Sequence, residues 1–186
     1  MSITVDLSQL KSCSKCPDLC TSRSQVVGWD WVVRDDAITT MACVLRNPGK
    51  TEDQRGIPAI GRAGTVMRNI LSSVPCSLYI TNMVKCYSED NRPPTATELL
   101  NCRGFIDEEI EVVKPGIIVL FGKEAQAMGF KDFSSDRHKI RVDDKGRVWT
   151  STYHPSYAMR VGDQAKGVIG RDVWAALDVY REVHSV

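Results

Sequence analysis

The sequence predicts an α/β fold, a single three-layer domain over residues 1–186 in which a four-stranded parallel sheet lies between helices. Three observations lead there. Four short runs, Met41–Leu45, Leu78–Thr81, Ile117–Phe121 and Val148–Thr152, are mostly apolar or β-branched, as strands buried on both faces are. Helical stretches separate them, and that alternation favours parallel pairing through crossovers. The length, 186 residues, suits one domain with a sizeable core.

The helices follow from spacing and punctuation. Ala63–Leu71 carries Val66, Met67, Ile70 and Leu71 near helical spacing. Thr95–Val113 begins after Pro93-Pro94, and Thr95 and Glu98 have the separation of a capping box. It ends before the breaker Lys114-Pro115-Gly116. Gly122–Met128 reads as a short helix. Val168–Val183 reads as the last, with Val173, Trp174, Leu177 and Tyr180 along one side. The polar stretch Asp132–Gly146 reads as a surface loop or hairpin.

Composition narrows the function. Apolar residues make up 42% and charged residues 25%, which argues against disorder. No apolar run approaches the roughly 18 residues of a membrane span, and Met1–Lys11 lacks the pattern of a signal peptide. A cytoplasmic protein without a membrane partner is the expectation. The net charge of +1 neither demands nor excludes nucleic acid, because a local basic face suffices to grip it.

Seven cysteines outside a secretory context point to metal ligands or buried thiols rather than disulfides. Cys13 and Cys16 form a C-x-x-C, and Cys86 and Cys102 form a second, wider pair. Such spacing suits zinc or an iron–sulfur cluster, and spacing alone leaves both open. Cys43 falls within a strand and reads as core. Cys20 lies close enough in sequence to Cys13 and Cys16 to stand in for a ligand.

Further motifs follow in order: Gly56-Ile-Pro-Ala-Ile-Gly-Arg-Ala-Gly64, Tyr79-Ile-Thr-Asn-Met-Val-Lys-Cys86, Asn91-Arg-Pro-Pro94 and Tyr153-His-Pro-Ser156. Together with the cysteines they resemble the family-four uracil-DNA glycosylases over roughly Cys13 to Arg160. The resemblance implies a parallel four-stranded fold with the pocket at the carboxyl ends of its strands. It implies a 4Fe–4S cluster on Cys13, Cys16, Cys86 and Cys102. It also implies that a monomeric enzyme excises a flipped pyrimidine from DNA by water attack.

By the same resemblance, Asn82 reads the uracil edge and His154 donates to the oxygen on which charge develops. Arg62, Ser156, Tyr157 and Arg160 are implied as DNA contacts, Ser156 to a phosphate, and Tyr157, Met159 and Arg160 on a loop that enters the duplex. Two motifs depart from the family. Where it has Gly-Glu-Ala-Pro-Gly, this chain has Leu45-Arg46-Asn47-Pro48-Gly49. Asn47 before Pro-Gly is similar to the mismatch-specific and single-strand-selective glycosylases, in which that Asn positions the attacking water. Arg46 puts a cation where the family has an acid, a candidate base-site residue that would bind a phosphate or an anionic group on the base, or else point away. Ala59 replaces the Phe that stacks on uracil, which implies either a wider pocket for 5-substituted uracils or a loss of excision. A module that binds DNA or a replication partner without chemistry is the alternative. His138, in the basic run Asp136–Arg141, invites comparison with relatives whose loop His traps the sugar covalently, although its surroundings match poorly.

Overall fold

The computed structural model describes residues 8–129 and 138–186, apart from the side chains of residues 125–127. Six strands form one sheet: β1 (Asp30–Val32), β2 (Thr39–Leu45), β3 (Cys76–Asn82), β4 (Ile117–Phe121), β5 (Ile140–Val142) and β6 (Val148–Thr152). Their spatial order is β1-β3-β2-β4-β6-β5. The inner four are parallel and correspond to the four apolar runs, while β1 and β5 pair antiparallel with β3 and β6 at the two edges.

Six strands instead of four is a correction, and its cause is local. Asp30-Trp31-Val32 and Ile140-Arg141-Val142 are three residues each and nowhere fully buried, so neither carries an apolar run. The stretch read as a loop or hairpin closes as a hairpin, with Asp143 accepting the Arg147 amide between β5 and β6. Its residues 132–137 lie outside the described residues.

Seven α-helices are described: α1 (Ser8–Lys11), α2 (Pro17–Ser22), α3 (Lys50–Arg55), α4 (Arg62–Ile70), α5 (Ala96–Val113), α6 (Pro155–Val161) and α7 (Asp163–His184). The period-two alternation of the strands divides the core. Met41, Cys43, Leu45, Val119 and Phe121 face α4, α6 and α7, meeting Met67, Ala158, Ile169, Val173 and Leu177. Ala42, Val44, Ile118 and Leu120 face the other way, onto Ile106, Ile110 and Val113 of α5. Helix α5 starts as its capping box dictates: the Glu98 amide donates to Thr95 Oγ1 at 3.2 Å and the Thr95 amide to Glu98 Oε2 at 2.7 Å. Residues Lys123–Met128 form a 3-10 turn rather than an α-helix.

Helix α7 begins five residues before the predicted start. Trp174 does not share its buried side: Val173 and Leu177 are buried with Ile169 and Ala176, and Trp174 is 36% exposed. Residues four apart share a helix face, whereas adjacent ones diverge by about 100°.

The carboxyl ends of the parallel strands are anchored from beneath. Lys85, 1% exposed, donates from Nζ to both carboxylate oxygens of Glu109 at 2.7 and 2.8 Å and to Thr81 Oγ1. Thr81 Oγ1 in turn donates to Glu109 at 2.8 Å. This buried ion pair joins the exit of β3 to α5. It is fully hydrogen-bonded, as an interior charge requires.

Candidate active site

A cavity of about 330 Å³ opens at the carboxyl ends of β2, β3 and β6. Its lining brings together Arg46 and Asn47 after β2, Ala59 and Arg62 from the segment before and into α4, Asn82 at the end of β3, and His154 and Ser156 after β6. Four sequence motifs thus converge, with Asn91 of a fifth, where open α/β sheets bind ligands.

Asn82 pairs with Leu45 across β2 and β3 and is 2% exposed. Its side-chain Nδ2 has no hydrogen-bond partner among the described residues. A buried amide left unpaired costs roughly 1–3 kcal/mol, so this donor is held ready for a ligand.

His154 caps the N-terminus of α6. Its Nδ1 accepts the Ser156 amide at 3.2 Å and lies 2.8 Å from Ser156 Oγ. An acceptor Nδ1 puts the ring proton on Nε2. Burial, followed by the charges of Arg46 and Arg160, pushes its pKa down to about 4. The ring is therefore a neutral donor at physiological pH.

Arg46 and Asn47 are interlocked. Arg46 Nε donates to Asn47 Oδ1 at 2.7 Å, and Arg46 Nη2 to the Asn91 carbonyl at 2.9 Å and Asn91 Oδ1 at 3.3 Å. Asn47 Nδ2 reaches Asn91 Oδ1 and Ser88 Oγ, each at 3.3 Å. Because a guanidinium only donates, it fixes which end of each carboxamide is oxygen. Asn91 reaches this position through two successive left-handed residues, Asp90 and Asn91, both at φ 52.

Ala59 is also left-handed, with φ 53, and is 4% exposed. Arg68 of α4 holds its carbonyl from Nε at 3.0 Å and that of Pro58 from Nη2 at 3.3 Å. A Cβ at Gly64 would fall 2.1 Å from the Ala59 carbonyl carbon, so only glycine lets this loop close on α4. Glu52 Oε1 accepts the Gly61 amide at 2.7 Å. Among the described residues, no Phe, Tyr or Trp lines the cavity.

Tyr157, Met159 and Arg160 lie with Ser156 on helix α6, not on a loop, which corrects the sequence expectation. Pro155 at the first helical position and His154 as its cap start that helix. Tyr157 and Arg160 are not part of the cavity lining, although Met159 between them is. The Arg160 guanidinium sits 5.8 Å from the Tyr157 ring centre. His138 lies elsewhere. It has φ 73, and its Nδ1 contacts the buried Asp172 of α7, which also accepts from Thr152 Oγ1. Asp136 and Arg137 of its run lie outside the described residues.

Cys16, Cys86 and Cys102 gather in a separate cluster, and among the described residues no cysteine lines the cavity. Cys86 and Cys102, 6% and 5% exposed, pack with Leu19, Val84 and Cys16. Arg23 Nη1 donates to Cys86 Sγ at 2.8 Å and Nη2 to the Cys13 carbonyl at 2.6 Å, while Asn101 Nδ2 approaches Cys16 Sγ at 3.4 Å. Cys20 directs its thiol to the Cys13 carbonyl. Among the described residues, no three His, Cys, Asp or Glu side chains close around a single ion-sized point. Burial raises the Cys86 thiol to about 11, against the pull of Arg23.

Sequence reasoning did not single out Arg23, Glu52, Arg68 or Ser88. Their partners are backbone groups or residues far along the chain, and no local pattern announces such contacts. Asn91 was visible as part of a motif but had no role assigned.

Comparison with known proteins agrees with this geometry. The family described as the uracil DNA glycosylase superfamily matches residues 43–178. The Type-4 uracil-DNA glycosylase of Thermotoga maritima is 32% identical over 159 residues, covering 82% of this chain and 80% of that relative. That of Archaeoglobus fulgidus is 32% identical over 145 residues, 76% of this chain and 69% of its own. A Type-5 uracil-DNA glycosylase of Pyrobaculum aerophilum is 39% identical over 84 residues, 42% of this chain and 36% of its own.

Proposed function

This chain belongs to the uracil DNA glycosylase superfamily, and from that premise we propose that it excises uracil or a 5-substituted uracil from DNA by hydrolysing the N-glycosidic bond. The observation that carries the reading is Asn82, a buried amide with an unpaired Nδ2 at the wall of a cavity that also holds a neutral His154. A pyrimidine edge offers acceptors to such donors.

In this reading the DNA extrudes one nucleotide into the cavity. Asn82 Nδ2 donates to a carbonyl of the base, and His154 Nε2 donates to the oxygen that gains charge as the bond to the sugar breaks. A neutral donor suits that task because it stabilises the anion without first needing to take up a proton. Asn47 places the water that adds to the sugar carbon. Its Oδ1 keeps one lone pair beyond the bond to Arg46. Arg62 at the cavity, and Ser156, Tyr157 and Arg160 on α6, contact the DNA backbone and fill the gap left by the base. Arg46 and Ala59 line the base site; the small Ala59 leaves room beside the ring for a substituent. The protein acts as a monomer of one domain.

Cys13, Cys16, Cys86 and Cys102 fit a 4Fe–4S cluster. The Cys16, Cys86 and Cys102 thiols share an apolar cluster, and Arg23, which donates to Cys86 Sγ and to the Cys13 carbonyl, is placed to offset the negative charge of such a cluster. The cluster would tie the N-terminal segment to β3 and α5. Anaerobically purified protein showing visible absorption that is lost in Cys86→Ser tests this; colourless native protein would refute it.

The function is tested with single- and double-stranded oligonucleotides bearing one uracil or 5-hydroxymethyluracil, followed by alkali. Strand cleavage at the base, abolished by Asn47→Ala while DNA affinity persists, is expected. DNA binding without release of either base would refute the enzyme reading and favour a binding module.

A further inference from the structure

The contacts of Arg46 leave one part of the guanidinium unused. Nε is spent on Asn47 and Nη2 on Asn91, whereas Nη1 has no hydrogen-bond partner among the described residues. The side chain is half-buried and lines the same cavity as Asn82 and His154. The two fixed nitrogens hold the guanidinium plane, so the free end is already oriented before any ligand arrives. The electrostatics agree. Burial lowers the Arg46 pKa, with Arg160 pushing the same way and Glu124 opposing. Arg46 and Arg160 together help keep His154 neutral. A half-dry cavity containing a cation and a neutral donor attracts an anion.

Resting on the glycosylase reading, we infer that Arg46 is a second catalytic group, whose Nη1 stabilises the departing base anion alongside His154. The C1′–N1 bond breaks and its electron pair leaves with the base, spreading onto the ring oxygens. The oxygen of water forms the new bond to C1′, and the proton it sheds passes to solvent. The negative charge on the base is the only one created in the cavity during this step. Arg46 meets that charge as it develops, so the contact strengthens toward the transition state. Arg46 also does what the missing aromatic platform does not: it favours the broken bond over the intact one, whereas stacking holds both.

The test varies the leaving group. 5-Fluorouracil carries the departing charge more readily than uracil and needs less help. In single-turnover release, Arg46→Gln should slow uracil excision by roughly 10²–10³-fold, the range for removing one such donor. It should slow 5-fluorouracil excision by at least tenfold less. Arg46→Lys, which restores charge but not the fork, should recover part of the uracil loss. Thermal melting and DNA affinity of each variant establish that it is folded.

Equal losses on both bases would overturn the inference and reduce Arg46 to a support for Asn47. A loss confined to substrates with an anionic 5-substituent would also overturn it, making Arg46 a reader of the substituent. Failure of the native chain to release either base would remove the glycosylase reading itself, an outcome distinct from both.

Discussion

Acid should leave this enzyme working where an ordinary histidine would stop it. The perturbation is pH, and the group is His154. Its imidazole is ordinarily half-protonated near 6.5, but burial, Arg46 and Arg160 push that point down to about 4. A proton arriving at Nδ1 would also displace the Ser156 amide. At pH 5.5 an ordinary imidazole would be about 90% charged and His154 only about 3%. The release rate should therefore hold between pH 8 and 5.5 and fall with a midpoint near 4. The same group makes stability depend on pH. The unfolded ring takes up its proton near 6.5 and the folded one only near 4, so its contribution is complete above 6.5 and lost as pH falls through 4. The gap corresponds to at most about 3 kcal/mol, less for partial exposure. Single-turnover uracil release from pH 3.5 to 8, with circular dichroism to confirm the fold at each point, measures the first part. An acid limb centred near 6.5 in folded protein would refute the reasoning.

Other perturbations give equally definite expectations. Asn82→Asp replaces the unpaired donor with an acceptor-only carboxylate facing the base, and kcat/KM for uracil should drop at least about a hundredfold. Glu109→Ala strands the buried Lys85 ammonium, so denaturant melting should register a loss of about 3–5 kcal/mol, with Glu109→Gln losing less. Gly64→Ala forces a methyl into the Ala59 backbone; a destabilisation of about 1–3 kcal/mol, together with weaker base binding, is expected in melting and excision assays. An unchanged melting curve for Gly64→Ala would show that the loop bends away freely.

The sequence made the centre of this fold legible and left its margins obscure. Strands β2, β3, β4 and β6 are buried on both faces, and burial of that kind writes continuous apolar runs. Strands β1 and β5 satisfy only the edges of the sheet and have no such runs. Helix α5 was legible because both of its ends are chemical signals. Helix α6 was missed although Pro155 marks its first turn, because seven residues hold too little periodicity to read. For the site, the strand-end residues Asn47, Asn82 and His154 were found by motif, and the fold gathers them at one cavity. Their supports were not. Arg68 holding Ala59, Glu52 holding Gly61 and Arg23 holding Cys86 are contacts between distant parts of the chain, visible only once the chain is folded.

The edge strands also decide how this protein fails. β3 is a seven-residue segment, Cys76-Ser-Leu-Tyr-Ile-Thr-Asn82, buried throughout and without a charge or a proline. Such a segment stacks readily with copies of itself once its backbone is open. What shields its outer side is β1, three residues held by Trp31 on Tyr79 and by the Asp30–Arg68 pair. Were β1 to fray before the parallel centre, as short edge strands with few contacts tend to, a sticky template would be exposed on an otherwise native molecule. Loss of this enzyme on storage or warming would then be a matter of concentration, with clumping starting at β3 rather than at the helices.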